Sequence, residues 1–333
     1  MKLVTSIFAT AALTTSSLMA YAQENTSAHI LPDKTIVTSY DRVPEGFDPV
    51  SASDSQLQDY GFPRRPDLAD TKAYAKWQQA VSVERITPEI VVHPGVFHRP
   101  NRVVSKSAAI DNTALLHSGN WSGYALSRGS PYFDEVVGTW IVPSINNQYA
   151  SFTGFGSEWV GLDGDCSCSD LVQDGTSMNW IGGKPTYFAW FESIPEPEME
   201  IANFAVSPGD VIYAYSAFGV KNGVETGYYY LANYNTRKGF STTLPLPKGI
   251  AYHGASAEWI MERAQVNGSF NNPPPDYAYA YMDDAFAYRA GSNRAIAYTS
   301  EANQNIVMVQ GSTSLSKSYE QDSDSLWFQW LAY

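Results

Sequence analysis

Two polar side chains stand on apolar, strand-like backgrounds: Gln173 in DLVQDG and Glu258 in SAEWIM. A carboxylate can take a proton from water, and a carboxamide can donate N–H groups to a developing oxyanion. Together they could hydrolyse an amide with no serine, cysteine or metal taking part. Taken singly, Gln173 reads equally as a half-exposed strand residue and Glu258 as a solvated charge. Carboxylates suggest a rival chemistry. Asp163, Glu192 and Glu258 could supply the pair of a glycoside hydrolase, with Trp159, Trp190 and Trp259 either sugar-stacking platforms or core. A carbohydrate-binding or glycoside-hydrolysing sandwich is therefore the alternative, and Gln173 separates the two readings. An amide can be neither the acid nor the nucleophile of a glycosidase pair.

Other hydrolase signatures fail. There is no H-E-x-x-H, and of five histidines only His117 and His253 lie beyond residue 112. Gly254-Ala255-Ser256-Ala257-Glu258 mimics a nucleophile elbow but ends on Glu. Asp163, Asp165 and Ser167 open like a calcium loop, but Cys168 stands where such a loop needs Gly. Asp174-Gly175-Thr176 scrambles the Asp-Thr/Ser-Gly motif of pepsin-type proteases, and no second copy exists. Cys166 and Cys168 are too few for a zinc site, and a bridge between i and i+2 is strained. No cofactor and no metal is expected.

The positioning elements follow from composition. Met1 to Ala22 reads as a secretory signal peptide: Lys2, an apolar run, then Ala20-Tyr21-Ala22 as the cleavage site before Gln23. No later run is long enough to span a membrane, so a protein exported to the extracellular space or periplasm is expected, with no membrane partner. Residues 23–112 hold 12 acids, 10 bases, 8 of the 19 prolines and only Trp77 of the nine tryptophans. They read as a prosegment with one helix near Asp67 to Val81; the plainer reading is a flexible linker. The boundary falls between Arg102 and Asn120. Residues 113–333 hold 22 acids and 10 bases, which argues against a nucleic-acid partner. Docking of the basic residues 64, 65 and their neighbours on this acidic body should be partly electrostatic, with the paired carboxylates held below their ordinary pKa values.

From Asn120 onward the chain reads as all-β. Short Val/Ile/Tyr/Phe/Trp runs alternate with Gly, Asn, Asp and Pro, and period-two alternation is clear in DVIYAYSAF. Lys221-Asn222-Gly223 and Val266-Asn267-Gly268 are turn signals. Strands this numerous imply an antiparallel β-sandwich of jelly-roll or concanavalin-like kind. A monomer is expected.

At this point the motifs match a family. Asn120-Trp121-Ser122-Gly123, GTWIVPS (138–144), SEWVGLDGD (157–165), DLVQDG (170–175), YFAWFES (187–193) and SAEWIMER (256–263) resemble, in order, the glutamic peptidases called eqolisins. The resemblance implies a β-sandwich endopeptidase acting on polypeptides, with the dyad on Gln173 and Glu258. It also places Trp159 and Asp163 beside the dyad, and Trp190 and Glu192 along the cleft. It further implies export as a precursor and action at acidic pH. Two departures stand out. Ser177 replaces an acid commonly found four residues after the Gln, and C-x-C replaces the usual cysteine arrangement.

Overall fold

Side chains on a strand alternate between faces, so a run polar on one face and apolar on the other must lie between two environments. The computed structural model describes residues 26–40, 43–103, 113–128, 132–146, 152–166, 168, 170–270 and 273–331. One layer orders Lys184–Ser193, Val172–Ile181, Gly154–Leu162, Ser256–Glu262, Trp121–Ser127 and Asn303–Gln310, all antiparallel. The second orders Tyr279–Arg289, Phe133–Ile141, Val211–Lys221, Val224–Asn233 and Lys238–Pro245. Thr313–Glu320 and Leu326–Trp330 carry the hydrogen-bond ladder from one layer to the other, leaving one nearly closed sheet. The antiparallel sandwich expected from the sequence is what forms. Trp140, Val160, Leu162, Val172, Leu231 and Trp259 are buried between the layers.

Asn222 and Gly223 take φ of 53° and 78°, and Asn267 and Gly268 take 51° and 76°, the two-residue turns that Asn-Gly favours. Other strands carried weaker signals. Lys238–Pro245 and Thr313–Glu320 are Ser/Thr-rich and become strands because both their neighbours pair with them.

The N-terminal residues are not a loose linker. Leu31 and Val37 enter the main core, and Ile36–Tyr40 pairs with Lys238–Pro245. The expected helix forms over Thr71–Val81, with Ala73, Trp77, Ala80 and Val81 on its buried face. Its small alanines let it pack on Tyr213 and Tyr230 of the second layer, and the Tyr230 hydroxyl donates to the Ala80 carbonyl at 2.8 Å. A short helix, Asp54–Asp59, starts at a capping box between Ser53 and Gln56. The expected boundary falls partly on residues 104–112, outside the described residues, as does the signal peptide.

Docking does use ion pairs. Lys72 reaches Asp283 at 2.7 Å and Asp324 at 2.8 Å, Lys76 reaches Asp284 at 3.1 Å, and Arg64 pairs with Asp134 and Glu135. For four of these acids the expected depression is not found: burial outweighs pairing, raising Asp134, Asp284 and Asp324 and pushing Glu135 up to about 8.

Two acids point into the inter-layer core. Among the described residues, fully buried Glu158 has no hydrogen-bond partner on either carboxyl oxygen, and Asp174 has one oxygen on the Ser216 hydroxyl at 3.0 Å and none on the other. Burial raises both well above their ordinary values, so they are neutral acids in the folded protein.

Candidate active site

The register of the first layer sets the site. Gly161 lies opposite Glu258 on one side and Gln173 on the other, and Gln173 lies opposite Glu192. Glu258, Gly161, Gln173 and Glu192 thus form one row across four strands, on the face turned away from the second layer. At the usual strand spacing, about 4.8 Å, Gln173 and Glu258 are roughly 10 Å apart at Cα. Gly161 is the floor between them. A Cβ there would sit 3.0 Å from Trp159 and 3.1 Å from both Gln173 and Leu171. Gly161→Val is accordingly expected to lower activity at least 100-fold by filling the space between the two side chains, with a stability loss of about 1–3 kcal/mol. Activity near the parent level, measured alongside a melting curve, would refute that role for Gly161.

The next row up carries the tryptophans. Trp159 and Trp190 flank Gly175, where an added Cβ would collide with the Glu158 carbonyl oxygen and with Trp159 Cβ at 2.5 Å. Trp159 Nε1 donates to Glu262 at 2.7 Å and Trp190 Nε1 to the Ser157 hydroxyl at 2.9 Å. Trp121 meets Trp159 edge-on at 4.8 Å.

Asp163 plays a different part from the row. At φ 74°, just past the end of the Gly161 strand, it accepts backbone N–H groups from His253 at 3.0 Å, Gly254 at 2.7 Å and Ala255 at 2.5 Å. It thereby fixes the loop that leads into the Glu258 strand. Burial and the adjacent Asp170 push Asp163 up to about 7, against those amides. Cys166 and Cys168, in the same bend, are joined by a disulfide. The strain expected of an i, i+2 bridge does not prevent it.

Glu258 is completely buried. Its Oε1 accepts the Asp165 N–H at 2.8 Å, and Oε2 has no partner among the described residues. Burial pushes it up to about 8, against the Ser256 hydroxyl and the Asp165 amide. In this closed arrangement it is a neutral acid. Gln173 is equally buried; its Nε2 donates to Glu192 Oε2 at 2.5 Å and to the main-chain carbonyl of His98 at 3.1 Å. Glu192, raised by burial to about 8 despite the nearby His98 charge, also accepts the His98 N–H at 3.2 Å.

His98 belongs to a stretch that crosses the site. Ile90–Val92 pairs with Met199–Ile201, Val96–Phe97 with Gln265–Val266, and Arg102–Val103 with His117 and Ser118. Between these anchors His98 is fully buried, its ring flat on Trp190 at 3.8 Å and 3°. Nδ1 lies 3.0 Å from Glu262 and Nε2 2.9 Å from Glu198. Burial opposes a charged ring, but the two carboxylates outweigh it and hold His98 at about 10. Beyond it, Asn120 donates to the Arg99 carbonyl at 2.7 Å and accepts the Asn101 N–H at 2.8 Å.

The structure thus brings Gln173, Glu258, Trp159, Trp190 and Glu192 onto one face and sets Asp163 behind the loop. His98, Glu198 and Glu262 were not singled out from the sequence. Glu262 could have been, since it lies four residues after Glu258 and so on the same strand face. A cavity of about 320 Å³ opens at the row's end, between Asp163 and Gly164 on one side and Arg99 and Pro100 on the other.

Comparison with known proteins places the chain among peptidases of one family. Scytalidopepsin B of Scytalidium lignicola is 38% identical over 154 residues, 45% of this chain and 55% of that protein. Aspergillopepsin-2 of Aspergillus niger is 29% identical over 113 residues, 29% of this chain and 39% of that protein. The chain thus spans between two fifths and just over half the length of these curated relatives. Among solved structures, scytalido-glutamic peptidase with a transition-state-analogue inhibitor superposes with TM-score 0.53 at 23% identity, over 64% of this chain and 98% of that one, a likeness of fold. The profile of the peptidase A4 family matches residues 119–330, and the chain belongs to that family.

Proposed function

We propose that the protein is a secreted, acid-acting glutamic endopeptidase, made as a precursor, that cleaves polypeptides with Gln173 and Glu258. The observation that carries this reading is that Gln173 Nε2 already holds a main-chain carbonyl, that of His98 at 3.1 Å, one strand from the Gly161 floor and two from Glu258. A substrate carbonyl would take the place of the His98 carbonyl on Gln173. Glu258, once water reaches it and it ionises, takes the proton of the attacking water. Gln173, oriented by Glu192, donates to the oxyanion. Glu258 then returns the proton to the leaving amine.

Two limbs give an acid optimum. Activity falls at low pH as the uncovered Glu258 is protonated. It falls again toward neutrality as the fold loses the stability that its neutral core acids confer. The leader, residues 1–22, lies outside the described residues and supports export through its sequence alone. Residues 23–112 are read as the prosegment because 90–103 fill the cleft.

A glycosidase pair fits poorly. Glu258 and Glu192 are three strands apart, about 14 Å at Cα by strand spacing, and Gln173 lies between them; such carboxyls need separations of about 5–9.5 Å.

The test is hydrolysis of a denatured protein and of a glycan panel near pH ~4, where ordinary carboxylates begin to ionise. Proteolysis should persist through serine reagents, chelators, and reduction followed by alkylation of Cys166 and Cys168. Glycan cleavage without proteolysis would reverse the assignment.

A further inference from the structure

The pocket around His98 is built from the body, not from the segment that fills it. Trp190 forms its flat wall. Glu262 is held by Trp159 Nε1 at 2.7 Å and Asn120 Nδ2 at 2.8 Å, and Glu198 by the Ser177 hydroxyl at 3.2 Å. The carboxylates face opposite edges of the ring, so both ring nitrogens must donate. Imidazolium meets that demand, and acid pH supplies it. A lysine ammonium is a single point charge that cannot stack on Trp190 or span both carboxylates, and the guanidinium of arginine sits on a longer stem. Among the described residues Glu192 is a further carboxyl group turned toward this residue, and it takes the main-chain N–H rather than the ring.

We infer that this pocket selects the residue before the cleaved bond, that it takes a protonated histidine, and that His98–Arg99 is the chain's own first substrate bond. The inference rests on the reading of Gln173 as the donor to the attacked carbonyl. The bond is held on both sides, His98 by Gln173 and Glu192, Arg99 by Asn120. In hydrolysis the water oxygen bonds to the His98 carbonyl carbon, the C–N bond to Arg99 breaks, and Glu258 passes the water's proton to the Arg99 amine. While Glu258 stays dry the bond survives; once water reaches it, Glu258 returns toward its ordinary value of ~4.3 and is partly ionised in mild acid. The cavity beside Pro100 borders Gly164, whose added Cβ would lie 3.3 Å from Glu258 Cδ, and it offers water an entry.

The full chain, incubated in acid and analysed by mass spectrometry, should yield a first new N-terminus at Arg99, just before the boundary expected from the sequence. The resulting enzyme should cleave a peptide series varied at one position with kcat/KM about 10- to 100-fold higher for His than for Ala or Lys, the loss expected when a charged hydrogen bond is removed. Glu198→Gln should shrink that ratio. Proteolysis of a denatured protein without histidine preference would overturn the inference and leave the proposed function standing. A chain that cleaves nothing would overturn the proposed function, and the pocket is then judged by hydrogen exchange. His98→Ala in the full chain should raise exchange at residues 93–102; unchanged protection would overturn the pocket as well.

Discussion

Glu258→Gln is expected to lower turnover of a denatured protein by about 10²–10⁴-fold, the usual worth of a general acid–base group. Gln173→Ala should lose about 10²–10³-fold as an oxyanion donor is removed. The folded state should tolerate the first change well. Burial already favours the neutral form of Glu258, and its backbone bond from Asp165 is to an oxygen that glutamine retains. Melting temperature should therefore stay at or above that of the parent while kcat collapses. Gln173→Ala also frees Glu192 Oε2 of its 2.5 Å bond, so a modest loss of stability accompanies the loss of rate. If well-folded Glu258→Gln turned over within tenfold of the parent, Glu258 would not be the base.

The second large effect is on stability. Glu158 and Asp174 are neutral in the folded core and titrate at ordinary values once unfolded, so their folded pKa values are raised. Their contribution is fully present below the unfolded values, near ~4, and is lost as pH rises toward the folded ones. Each group contributes a slope of about 1.4 kcal/mol per pH unit in that window. With both folded values raised, stability and with it Tm fall as pH rises above the unfolded values. Melting temperature should fall steadily from pH 4.5 upward, and the double variant Glu158→Gln, Asp174→Asn should flatten the fall. A parent equally stable at both pH values would show that these acids do not govern stability.

Much of this was legible in the sequence, within limits that have physical causes. Strand identity and side-chain face follow from period-two alternation, so Trp159 and the Gln173 strand were found. Cross-strand register is a long-range property, and nothing local says that Gly161 stands between Gln173 and Glu258. His98 was passed over because it lies in a segment read as leaving the protein, whereas the fold inserts it between Trp190 and two carboxylates. The pKa of Glu258 was also out of reach. It is set by the burial of the side chain, which no local pattern reports. Asp163 was placed beside the dyad by resemblance, and its backbone bonds give it the task of fixing the loop.

The strands that the N-terminal residues lend to the body have another consequence. Ile36–Tyr40 lies along Lys238–Pro245, and Ile90–Val92 along Met199–Ile201. Each closes a row of main-chain donors and acceptors that would otherwise be open to a neighbouring molecule, the usual start of edge-to-edge aggregation. A newly made chain thus carries its own edge covers, supplied before any other copy can compete for them. Should they leave, what they uncover is poorly suited to uncontrolled pairing. Met199–Ile201 is three residues long and adjoins Glu198 and Glu200, and the other edge ends at Pro245, which has no N–H to offer.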